Sequence, residues 1–173
     1  MHIFNKTLNI LGINLAMLTV PTVLASGVIN FTGEITEQAC TVDIKSRNLN
    51  VDLGRVSTRS LSSQGEVAGV TNFIIKLVDC PDDTKVTVNF AGTRDSVDHH
   101  ILALHQGNGM AKNVGVALYE KNAVTPIKLY ENTKEVELDG DSVELEYVAA
   151  YKATGVATAG QANSSAVYSI KYQ

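Results

Sequence analysis

The chain has no tryptophan, three prolines, two cysteines and no surplus of basic residues. Each shortage narrows what it can be. Lys and Arg number 14 against 18 Asp and Glu, for a net charge of −4. A nucleic-acid binder carries a basic face, so this balance argues against one. Two cysteines alone are too few for a four-ligand structural zinc site. No H-E-x-x-H, G-x-S-x-G or P-loop spacing occurs, and Asp82-Asp83 and Asp139 to Asp141 read as turns rather than as paired catalytic carboxylates. Helix-period segments are missing too. Long apolar runs are scarce: Leu8 to Leu18 is broken by Asn9, Gly12 and Asn14, and is too short to span a bilayer.

What is there begins with that opening segment. A positive start through Lys6, a short apolar stretch and Val23-Leu24-Ala25 have the layout of a secretory leader. Cleavage is expected after Ala25, so that residues 1–25 are removed, with an uncleaved anchor as the alternative. Export makes an oxidising compartment the setting for Cys40 and Cys80, and one disulfide between them is expected.

After the leader, period-2 alternation recurs with Val, Ile, Thr and Tyr throughout. Gly27, Ile29, Phe31, Gly33 and Ile35 share one face of a first strand. Cys40, Val42 and Ile44 alternate next, then Leu49, Val51 and Leu53. A polar connector covers Ser57 to Gly69. Strands follow at Phe73 to Leu77, Val86 to Phe90, Ile101 to Leu104, Val114 to Leu118, Ile127 to Tyr130 and Val136 to Leu138. Asp139-Gly140 predicts a hairpin turn into a long strand, Val143 to Tyr151. A Gly- and Ala-rich loop then leads to the last strand, where Ala166, Tyr168, Ile170 and Tyr172 face one way and Val167, Ser169, Lys171 and Gln173 the other. Eight to ten short strands separated by turns read as a single all-β sandwich. The strand ending at Gln173 is expected to lie inside the sheet and to want a neighbour on one side. On this pattern alone, Ile29 and Phe31 fit an ordinary first strand and a segment lent to another chain equally well.

A resemblance decides between them. Gly33, Cys40, Leu53-Gly54, Phe73, Leu77, Cys80, Val88-Asn89-Phe90-Ala91-Gly92, Asn113-Val114-Gly115-Val116, Ala150 to Gly155 and the ending Tyr168 to Gln173 resemble, in order and spacing, the subunits of chaperone–usher fimbriae of the type 1 kind. The spacing from Gly160 to Tyr172 resembles the C-terminal pattern that the periplasmic chaperones of this family recognise. The resemblance implies an incomplete immunoglobulin-like sandwich, residues 38–173, that lacks its last strand and leaves a hydrophobic groove beside its C-terminal strand. It further implies that a periplasmic chaperone fills the groove and anchors the carboxylate of Gln173. At an outer-membrane usher the N-terminal extension of the next subunit then replaces the chaperone, a form of β-strand addition. Here that donor is residues 26–37, with Ile29, Phe31 and Ile35 filling the groove, for about 1.5–3 kcal/mol each, and Gly33 where a side chain would clash. The product is a fimbrium at the cell surface that supports adhesion, with no cofactor, no enzymatic activity and no membrane insertion of the mature chain.

Two other readings stay open. A tip adhesin or adaptor subunit of such a fimbria would have its own receptor binding. A secreted β-sandwich metalloprotein would use His99, His100 and His105, with Asp95 and Asp98 nearby.

Overall fold

The computed structural model describes residues 29–33, 39–81 and 84–173. Two units separate within the chain, Met1–Ile35 and Thr36–Gln173. In the first, Ile29 and Phe31 are 77% and 90% exposed. Gly27 and Ile35, the other expected donor positions, lie outside the described residues, as do the leader and Asp82-Asp83.

The second unit is all β apart from one turn of 3₁₀ helix at Thr58–Leu61. Its strands are β1 (Thr41–Val42), β2 (Val67–Val78), β3 (Lys85–Gly92), β4 (Leu102–Ala103), β5 (Val114–Glu120), β6 (Pro126–Ile127), β7 (Val136–Glu137), β8 (Ser142–Ala153) and β9 (Ala166–Tyr172). One sheet runs β1-β2-β8-β5-β4, with β6 also on β5; the other runs β7-β3-β9. Every described pairing between these strands is antiparallel. Alternation explains the core. Ile75 and Leu77 of β2, Val86, Val88 and Phe90 of β3, and Leu145, Tyr147 and Ala149 of β8 are buried in one cluster. The two sheets meet through rings: Phe90 lies 5.2 Å from Tyr147 and 6.1 Å from Phe73 between centroids, both edge to face, a preferred aromatic geometry. Strand β5 is buried on both faces from Val114 to Leu118, since Ile101 packs against Gly115, where an added Cβ would meet Ile101 Cδ1 at 2.8 Å.

The expected disulfide forms between Cys40 and Cys80. Several expectations change: the expected connector Ser57 to Gly69 gives way to β2 from Val67 onward, and the expected strand Ile127 to Tyr130 shrinks to Pro126–Ile127. Ile44 does not continue the β1 alternation; it is 76% exposed in a turn where Ser46 N–H donates to the Asp43 carbonyl and Lys45 N–H to the Asp43 side chain, so Asx-turn chemistry overrides the period. Leu49 to Leu53 forms no strand: Val51 and Leu53 pack on the core, but the segment has no ladder partner among the described residues. Asp139-Gly140 makes a turn, with Gly140 at φ +84°, but not a hairpin. β7 pairs with β3 and β8 with β2 and β5, so this turn carries the chain from one sheet to the other.

Burial pushes the Tyr147 phenol up to about 12. In the unfolded chain it ionises near 10, so folding stability should hold below pH 10 and fall as pH rises through 10 to 12. Chemical denaturation at stepped pH should show that Tyr147→Phe makes the alkaline decline shallower by about 2 kcal/mol at pH 12.

Candidate functional site: a groove along an unpaired strand edge

Among the described residues β9 pairs with β3, on one side only. Which of its backbone groups point outward follows from the register. Lys85 and Gln173 exchange both of their hydrogen bonds, at 3.3 and 2.9 Å, which makes them a hydrogen-bonded pair. Such pairs alternate with non-bonded ones along an antiparallel ladder. Val86–Tyr172, Val88–Ile170, Phe90–Tyr168 and Gly92–Ala166 are therefore the non-bonded pairs. The β3 partners bear this out, because Val88 and Phe90 turn their groups the other way. Val88 N–H donates to Thr133 Oγ1 at 2.8 Å, and the Val88 and Phe90 carbonyls accept from Thr133 and Tyr130 N–H. The N–H and C=O groups of Ala166, Tyr168, Ile170 and Tyr172 thus face away from β3, and no strand among the described residues meets them.

Beyond that edge lies a groove of about 990 Å³. One rim is β9, with Ala166, Val167 and Tyr168; the other is the segment from Thr41 to Asn50, including Val42 and Leu49. This second rim contains the beginning of the stretch that alternates like a strand but finds no partner. Tyr168, Ile170 and Tyr172 face inward, half-buried against the core; Tyr168 lines the groove, and Ile170 and Tyr172 continue the same face of β9. Val167 on the opposite face is 72% exposed. Burial raises the Tyr168 and Tyr172 phenols above the ordinary tyrosine range. Tyr168 Oη donates to the Ser46 carbonyl at 2.7 Å and Tyr172 Oη to the Cys40 carbonyl at 3.1 Å. Among the residues that line the groove the charged one is Arg47, whose Nε donates to the Val42 carbonyl.

Gly160 sits ahead of β9 rather than in it. Gln161 bridges to Met110, with Ala111 N–H donating to the Gln161 carbonyl and Gln161 N–H to the Gly109 carbonyl. A Cβ on Gly160 would collide with the backbone of Met110 and Ala111 and stand 2.8 Å from Gly109 O. This glycine lets the lead-in to β9 lie flat on another loop.

The histidines do not converge. His99 Nδ1 contacts the Asp95 carbonyl at 2.9 Å, whereas His105 Nε2 contacts Ser165 Oγ at 3.2 Å. Among the described residues no group of three or more His, Cys, Asp or Glu could hold a metal ion. Asp98 instead receives Lys152 Nζ at 2.9 Å. Burial alone would raise the Asp98 carboxyl, but the Lys152 ammonium and the His100 amide outweigh it and hold the group below its ordinary value.

The family model described as Fimbrial protein matches residues 29–173. The chain belongs to the fimbrial protein family. This fimbrial protein is 34% identical over 163 residues to the type-1 fimbrial protein A chain of Escherichia coli K12, covering 91% of this chain and 90% of that one. It is 36% identical over 174 residues to the F17 fimbrial protein of Escherichia coli, covering 95% and 97%. Among solved structures, the P pilus rod subunit PapA superposes with a TM-score of 0.65 at 21% identity, over 78% of this chain and 99% of that one. A Burkholderia pseudomallei antigen and type I fimbria protein gives 0.60 at 32% identity, over 83% and 95%. The fold is the incomplete immunoglobulin-like sandwich of chaperone–usher pilus subunits, and the protein is a structural fimbrial subunit that assembles with related subunits outside the cell.

Gly160→Ala forces backbone apart and should lower stability by about 1–3 kcal/mol, seen as a lower denaturant midpoint. Gly33→Ala, where an added Cβ meets nothing within 4 Å, should leave that midpoint unchanged.

Proposed function

We propose that this fimbrial subunit polymerises by donor-strand exchange, with the β9 groove as acceptor and residues 26–37 of another copy as donor. The observation that carries the reading is the free edge of β9 beside the groove. In the same chain Ile29 and Phe31 stand exposed, alternating as a groove-filling strand requires. An inserted strand would meet up to eight outward groups on β9, each resulting hydrogen bond contributing about 0.5–1.5 kcal/mol net. Its other edge would supply Leu49 to Leu53 with the ladder partner that it lacks among the described residues.

Left open, such an edge is a template for unwanted pairing. Hence a periodic sequence of occupants: a periplasmic chaperone strand first, with the Gln173 carboxylate anchored, and then the next subunit's donor at an outer-membrane usher. Residues 1–25 serve as the export leader, 26–37 as the donor extension and 38–173 as the acceptor domain. The role is structural rather than catalytic, and adhesion is a property of the assembled fibre.

A chain lacking Ser26 to Ile35 keeps its groove but has nothing to lend. Expressed with its chaperone and usher, it should accumulate in the periplasm and fail to join the growing fibre through its own strand. Phe31→Asp in the full chain should have the same effect in weaker form. Incorporation of both variants at the normal level, counted by immunogold labelling of fibres, would place the donor elsewhere.

A further inference from the structure

The hydroxyls of Tyr168 and Tyr172 on the inward face of β9 do more than satisfy themselves. β9 belongs to one sheet, and the rim from Cys40 to Ser46 hangs from the other through β1 and β2. Tyr168 and Tyr172 therefore tie the two rims together across the open side of the sandwich, over sequence separations of 122 and 132 residues. Both links end on points that are fixed independently. Cys40 is held by its disulfide to Cys80. Ser46 is buried, and its Oγ accepts Lys76 N–H of β2 at 2.9 Å. Ile170 lies on the same inward face, between the two tyrosines.

We infer that Tyr168 and Tyr172 are positioning residues for strand capture: their hydroxyl links set the spacing of the groove rims before a donor arrives. The inference rests on the donor-strand reading of the groove and assigns to that site a device of its own. Neither link uses a backbone group of the free β9 edge, so an incoming strand can form its ladder without breaking them. The links thus belong to the empty and the filled groove alike. Their loss frees the empty groove to narrow or gape, and the incoming strand must wait for the right width. The consequence falls on association and not on dissociation, because preorganisation removes an ordering step that otherwise accompanies binding.

The test uses the mature chain from residue 26, its disulfide formed, mixed with a fluorescein-labelled peptide of residues 26–37 and followed by anisotropy. Tyr168→Phe and Tyr172→Phe keep the rings and remove only the hydroxyls. Each should slow peptide association by about fivefold, the worth of one neutral hydrogen bond, with dissociation within about twofold of wild type. Tyr151→Phe removes a hydroxyl link of similar length, to the Ala162 carbonyl at 2.9 Å, that does not bridge the rims, and should change neither rate. Association unchanged in both Tyr168→Phe and Tyr172→Phe, an effect confined to dissociation, or an equal slowing by Tyr151→Phe would overturn the inference. Failure of the wild-type chain to take up the peptide would instead remove the donor-strand reading on which it stands.

Discussion

Four residues of one strand turn eight backbone groups toward a side where no strand among the described residues meets them. Hydrogen bonding in a sheet is two-sided, and among the described residues β9 has a partner on β3 alone. An edge of this kind normally sits on a sheet that hides or blunts it, because a flat, regular edge invites another chain. Here it is regular over its full seven-residue length, has no proline, and overlies half-buried tyrosine and isoleucine side chains. The rest of the unit holds that edge straight and accessible.

The means are visible in the packing. Phe73, Phe90 and Tyr147 lock the two sheets together in the centre of the sandwich. The disulfide fixes the start of the opposite rim beside the end of β2. Gly160 allows the approach to β9 to lie against the 109–111 backbone. The turn at Asp139-Gly140 passes the chain between sheets, so that β7 covers the far edge of β3 and leaves β9 as the outer strand of the smaller sheet.

Much of this was legible in the residues, and the failures are informative. The inward faces of β2, β3, β5, β8 and β9 follow directly from alternation, because each of these strands is long enough for the period to show. Ile44 misled because Asp43 and Ser46 supply turn chemistry that outweighs two apolar neighbours. The long β2 was under-read because Ser and Gly around 57–69 look like connector. Val67 to Thr71 is strand all the same, bulged between Ala68 and Thr71 where Gly69 adopts φ +68°. Leu49 to Leu53 has the pattern of a strand and, among the described residues, no partner that would make it one. The tyrosine links could not be foreseen at all: a hydroxyl reaching a carbonyl more than 120 residues away leaves no trace in spacing.

Amide hydrogen exchange on the mature chain, before and after saturation with the 26–37 peptide, reads the outward edge residue by residue. The account predicts that Val167, Ser169 and Lys171, already bonded to β3, exchange slowly in both states. The amides of Tyr168, Ile170 and Tyr172 should pass from fast to slow when the peptide binds. Slow exchange at all six positions without any added strand would contradict it, because the edge would then be paired within its own chain.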